Sequence, residues 1–177
     1  MKKLALGLLA AALFFSACGD DNKTLIDPGT STFSFDGKTV TTAYGYWFCY
    51  GVDSSKLVLS DQNLEVDTGH YKISLFTLDL DLGVMEDTTR IFTFLPKDSA
   101  NFNIAENFHS SAVVYKADYE NRKLQDNTGT RIIEAVTGIV RVTKSGSNYL
   151  IDYNVVFGDI SVKGNYAGPI RVIPIVP

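Results

Sequence analysis

Two cysteines, two histidines and a single tryptophan are all that 177 residues hold of those types. A zinc site needs three or four ligands at short spacings. His70 and His109 stand in turn-like segments with no acidic or cysteine neighbour so spaced, and they read as surface histidines. Positive charge is also short, with 16 Lys and Arg against 20 Asp and Glu and a formal charge of −4. Nucleic acid is bound through clustered Lys and Arg, so it is excluded as a partner. No Gly-x-Ser-x-Gly elbow and no Gly-rich phosphate loop is present. No apolar run reaches the ~20 residues of a membrane-spanning helix. Helical periodicity is missing beyond the first residues, apart from one turn near Asn103 to Phe108. Neither a cofactor nor a metal is expected.

What is present begins with a leader. Lys2 and Lys3 precede the uncharged run LALGLLAAALFF, Leu4 to Phe15, and then Ser16, Ala17 and Cys18. The run has the length of the apolar region of an export signal, about 7–15 residues. The tetrad Phe15-Ser16-Ala17-Cys18 resembles the lipobox of bacterial lipoproteins. That resemblance implies cleavage before Cys18 and a diacylglycerol thioether on its sulfur, with the membrane as partner. Several acyl chains anchor stably, at ~0.8 kcal/mol per buried methylene. Loss of Lys2 and Lys3 takes the formal charge from −4 to −6. Gly19-Asp20-Asp21-Asn22 is similar to the acidic stretch after the lipidated cysteine in lipoproteins of Bacteroidota. This implies an outer-membrane location, facing outward.

The division expected is therefore a signal peptide over 1–17, a lipidated acidic tether over 18–31, and one domain over 32–177. Pro28, Gly29 and small polar residues give the tether its linker character. With Cys18 lipidated, Cys49 has no partner for a disulfide. It lies in the run Tyr46-Trp47-Phe48-Cys49-Tyr50, with no basic residue adjacent. A buried, inert thiol is expected there.

The domain reads as strand after strand. Thr32 to Phe35 alternates, Asp36-Gly37 supplies a hairpin turn, and Lys38 to Cys49 follows as one long strand. Further strands are expected at Lys56 to Ser60, Tyr71 to Leu82, Arg90 to Leu95 and Ala112 to Tyr119. The last four are Arg131 to Thr137, Ile139 to Thr143, Tyr149 to Phe157 and Ile160 to Tyr166. A phase shift of the apolar residues between Leu75 and Phe76 suggests a bulge. The pattern predicts an all-β fold of about 8–10 strands, as a single antiparallel sandwich or barrel, a lipocalin-like barrel being the alternative. The segment GIVRVTKSGSNYLIDYNVVFGDISVKGNYAGPI, Gly138 to Ile170, is similar to the C-terminal hairpins of small uncharacterised Bacteroidota lipoproteins. This resemblance implies an all-β domain and carries over no catalytic residue.

Two further groups attract attention. Asp79 and Asp81 alternate with Leu78, Leu80 and Leu82, close to Glu86 and Asp87. Calcium takes six to eight oxygens, but a solvated strand face gives the same pattern. In the aromatic run, Tyr44, Tyr46, Phe48 and Tyr50 share one strand face and Trp47 points to the other. An exposed Trp47 would stack on a sugar ring; a covered one would belong to the core. The function expected is a non-enzymatic, lipid-anchored binding or interaction module of the envelope. A glycan-binding adhesin with an aromatic platform is one alternative. An envelope hydrolase with an acidic cleft is the other. The state of the interior discriminates among them: an aromatic-lined cavity, a filled core, or a cleft with paired carboxylates.

Overall fold

The computed structural model describes residues 31–50, 55–66, 69–83 and 85–174. The leader, Cys18 and nearly all of the tether lie outside the described residues. The fold is all-β, with no helix among the described residues. Its strands are β1 (Thr32–Phe35), β2 (Lys38–Thr41), β3 (Tyr44–Cys49), β4 (Ser55–Ser60), β5 (Tyr71–Asp79) and β6 (Thr89–Phe94). They continue as β7 (Asn107–Phe108), β8 (Ser110–Glu120), β9 (Lys123–Leu124), β10 (Thr130–Ile133), β11 (Thr137–Ser145), β12 (Asn148–Phe157) and β13 (Ile160–Pro174).

All thirteen strands belong to one curled, open sheet, ordered β10-β8-β5-β4-β3-β13-β12-β11-β6-β7, with β1, β2 and β9 attached at its sides. The expected closed antiparallel sandwich or barrel, lipocalin-like or otherwise, is therefore corrected: the sheet is mixed and does not close. Two pairs are parallel, β6 with β7 and β13 with β3, and the second arises from direction. β1 runs antiparallel to β13, pairing Thr32 with Asn165. The Asp36-Gly37 turn, with both φ angles positive, sends β2 back along the direction of β13. Beyond Thr42 and Ala43 the chain keeps that direction as β3, which meets the free edge of β13 from Ile170 onward in parallel. A single strand over Lys38 to Cys49 was expected; it is two because its neighbours change at that step. Periodicity carries no information about such a change. This break, with the short β7 and β9, raises the strand number above the 8–10 expected.

The curl brings the two halves of the sheet face to face over the main core. Phe33, Leu57, Leu59, Phe76, Leu78, Phe92, Val140 and Ile151 are fully buried in it. Phe76 stacks on Tyr153 with ring centroids 4.3 Å apart. Close approach is needed beside that ring: a side chain at Gly164 would meet the Tyr153 hydroxyl and the carbonyl of Thr32.

A second, smaller cluster covers the outer face of β3, β4, β5 and β8, built on Tyr46, Val58, Ile73, Leu75, Val114 and Tyr119. It explains the phase shift read in the sequence. Ile73 and Leu75 belong to the outer cluster, whereas Phe76 and Leu78 belong to the main core. Both faces of β5 are buried, so a change of phase needs no extra residue in that strand. The register does shift nearby, between Ile73 and Leu75. The extra residue is in β8, where Lys116 has φ +52° and its amide donates to Ser74 Oγ.

Candidate functional site

At one corner the two halves of the sheet are joined by β13. At the opposite corner they meet without a ladder. There β7 pairs with β6 in one half, and only two residues later β8 pairs with β5 in the other. His109 is the residue of that crossing, and its amide reaches the Asp79 carbonyl at a long 3.4 Å. This unclosed corner holds a pocket of about 230 Å³. It is lined by Tyr50 after β3, Ser55 and Lys56 of β4, Asp79 at the end of β5, Lys97 after β6, and His109, with Ile104 completing the wall.

The polar groups are differently committed. Lys56 Nζ lies 3.3 Å from Asp79 Oδ1. Ser55 Oγ donates to the Leu80 carbonyl at 2.6 Å. Lys97 is exposed and forms no ion pair among the described residues. His109 Nδ1 is sealed from solvent without a hydrogen-bond partner among the described residues. Its ring stands edge-on to Phe102, centroids 5.6 Å apart. Burial pushes the His109 imidazole below its ordinary pKa; Asp79 opposes this, and Lys97 and Lys56 add to it. With His109 neutral, the described lining carries one net positive charge on a chain that is acidic overall.

His109 is thus not the surface histidine expected. His70 is: it is exposed and lies 2.7 Å from Asp118, which Lys72 also holds at 2.6 Å. Lys72 first and His70 second keep the Asp118 carboxyl below the usual range.

The acidic group near β5 does not assemble. Asp79 is paired with Lys56, Asp81 Oδ1 accepts from the Gly83 amide, and Asp87 Oδ1 accepts from the Gly146 amide. Among the described residues no group of three or more His, Cys, Asp or Glu side chains is arranged to hold a metal. Cys49 is half-buried rather than fully buried. Burial, then Asp81, raises its thiol pKa, so little thiolate forms.

Trp47 is packed, partly buried, against the main core, and its Nε1 is sealed without a partner among the described residues. Tyr46 and Phe48 face the outer cluster. The aromatics of this run that remain exposed are its ends, Tyr44 at 39% and Tyr50 at 46%. Tyr50 lines the corner pocket. Tyr44 lines a groove of about 430 Å³ on the outer face, with Asn63, Glu65 and Arg171 among its walls.

Sequence reasoning missed the corner pocket because its residues come from four separate segments. A lysine at the start of an apolar strand and an aspartate at the end of another are ordinary features, and no local signal joins them. No family model, no curated protein and no solved structure matches the chain.

Proposed function

We propose that this is a lipid-anchored protein of the bacterial outer membrane, displayed outward, whose β domain binds a small ligand in the corner pocket without transforming it. The anchor rests on the leader and on Cys18 in its lipobox-like tetrad. Cells fed a fatty-acid analogue should label the wild-type protein and not Cys18→Ser. Equal labelling of both removes the anchor.

The observation that carries the binding half is the contrast between the pocket and the rest of the interior. The space between the sheet halves is occupied by apolar side chains. At the corner, charged and polar groups converge on open volume instead. Small-molecule sites commonly combine such a concavity with a few convergent polar groups.

Binding is favoured over hydrolysis by how those groups are committed. A serine nucleophile needs a base within hydrogen-bond reach, but Ser55 Oγ donates to a main-chain carbonyl. A carboxylate base needs freedom to accept a proton, but Asp79 is held by Lys56. A small-molecule library screened by amide NMR should give hits that shift Tyr50, Lys56 and His109 and are recovered chemically unchanged. Recovery of a cleaved compound would restore the hydrolase.

A second reading, glycan binding at the outer face, is favoured by Tyr44. Its exposed ring beside Arg171, Glu65 and Asn63 has the aromatic-plus-polar composition of a sugar platform. Hits that shift Tyr44 and Arg171, and leave His109 unmoved, would place the site there.

A further inference from the structure

We infer that the corner pocket takes a compact ligand bearing one carboxylate, its anionic end held by Lys97 and Lys56 and its body lying against Tyr50. This rests on the reading of the pocket as a small-ligand site and names the class of ligand.

Size comes first. About 230 Å³ is the room of nearly eight waters at ~30 Å³ each. That admits a small molecule. Sign comes next. Lys56 is balanced by Asp79 at 3.3 Å, while Lys97 has no ion-pair partner among the described residues. Among the described residues the unbalanced charge is therefore a single positive one. Phosphate as its dianion, the main form above its second pKa, would meet the same lone excess charge and the repulsion of Asp79. A monoanion matches it. Shape completes the argument. Tyr50, half-exposed, and Ile104 give the pocket an apolar wall against which a ring can lie.

His109 is the built-in reporter. Its ring is faced by Asp79 from β5, Lys56 from β4 and Lys97 from the segment after β6, with Phe102 against its edge. The two ammonium groups disfavour the imidazolium. An anion bound between them offsets that effect, so the imidazole should titrate at higher pH when the pocket is filled.

Two sources offer this chemistry: an acidic sugar residue of a glycan, and a free small organic acid. The experiment titrates the protein with glucuronate, glucose, acetate and inorganic phosphate, following the amides of the pocket and the His109 ring by NMR. Glucuronate should shift Tyr50, Lys56, Lys97 and His109 and raise the imidazole midpoint. Glucose, the same ring without the charge, and phosphate should bind at least tenfold more weakly. Lys97→Gln should weaken glucuronate at least tenfold while keeping the wild-type melting temperature, because Lys97 is exposed. Acetate binding as well as glucuronate points to a free acid as the source; acetate binding much more weakly points to a sugar acid. Both support the inference. Glucose or phosphate binding as tightly as glucuronate, or full affinity in Lys97→Gln, overturns it. Silence toward all four probes, while library compounds still shift the pocket, overturns the inference and leaves the small-ligand reading standing. Silence toward both removes both.

Discussion

The two hydrophobic clusters share strands but treat their polar atoms in opposite ways. In the outer cluster three phenols converge on one loop. Tyr46 Oη donates to Asn63 Oδ1 at 2.9 Å and accepts from the Leu64 amide at 3.0 Å. Tyr71 Oη donates to the Asn63 carbonyl at 3.1 Å, and Tyr119 Oη to the Leu64 carbonyl at 3.3 Å. In the main core the Tyr153 hydroxyl and the Nε1 of Trp47, packed against it, are sealed without partners among the described residues. One cluster is a sheet face with a loop pinned across it by hydrogen bonds. The other is held by packing: its Tyr166 hydroxyl donates to the Pro169 carbonyl at 2.6 Å, but the sealed groups of Tyr153 and Trp47 are a cost. A buried polar group without a partner costs about 1–3 kcal/mol, so the main core must recover this through its apolar area, at about 25 cal/mol per Å².

The comparison breaks most visibly at Trp47 and Tyr46, adjacent residues that serve opposite clusters. Trp47→Ala removes a large ring from the main core and should cost about 3 kcal/mol, toward the low end for such changes because the ring is only partly buried. Urea denaturation should show a lower midpoint with an unchanged slope. A variant that melts like wild type would mean that the ring contributes nothing to packing. The milder edit Tyr46→Phe keeps the ring and deletes only the hydroxyl. It leaves Asn63 Oδ1 and the Leu64 amide short of a partner, at a cost of about 1–2 kcal/mol. Hydrogen exchange should accelerate at Leu64 and Glu65 before it does in β5. Uniform acceleration through both clusters would show that the loop is not a separately pinned unit.

The corner pocket is a third environment, and pH isolates it. The His109 pKa is lowered in the fold, so below about 6.5 the unfolded chain binds more protons than the native one. The contribution of His109 to stability is complete above that pH and is lost as pH falls through the folded value. Wild type should lose stability between pH 7.5 and 5.5 relative to His109→Gln, measured by denaturation at each pH. Equal slopes for the two proteins would show that the imidazole is not desolvated. Asp118 falls outside this window, because its lowered pKa places its loss at more acid pH.

Legibility in the sequence followed the range of the physics involved. The hairpin at Asp36-Gly37 was readable because positive φ at two successive residues is a local demand, met at +45° and +69°. The hairpin at Gly158-Asp159 was readable for a similar reason, with Gly158 at +57°. The end of β13 was not. Ala167-Gly168-Pro169 has the composition of a turn, yet the strand runs on to Pro174. Pro169 falls where β13 has left β1, last paired at Asn165, and has not yet met β3 at Ile170. Proline is tolerated at such an edge. The corner pocket was invisible because it is a product of topology: β7 and β8 part company at His109, and no period or spacing records that.

The smallest expected effect gives the sharpest form of the comparison, since the edit made at Tyr46 can be repeated at Tyr153. Tyr153 is 5% exposed, and its ring stacks on Phe76 nearly in parallel, at 6°. Its hydroxyl points toward the space that Gly164 leaves open, and no partner among the described residues receives it. Burial drives the phenol pKa up, so the hydroxyl is held in its neutral form. Tyr153→Phe keeps the stacked ring and removes an atom desolvated without compensation. Against that gain stands the small void left behind, worth about 24 cal/mol per Å³. The two effects oppose each other, so the variant should be neutral or more stable by up to about 1 kcal/mol, the reverse of the loss at Tyr46. Paired denaturation curves for the two Tyr→Phe variants read this directly. A loss at Tyr153 as large as that at Tyr46 would mean that the hydroxyl has a partner, such as a buried water, and that the main core is no drier than the outer one.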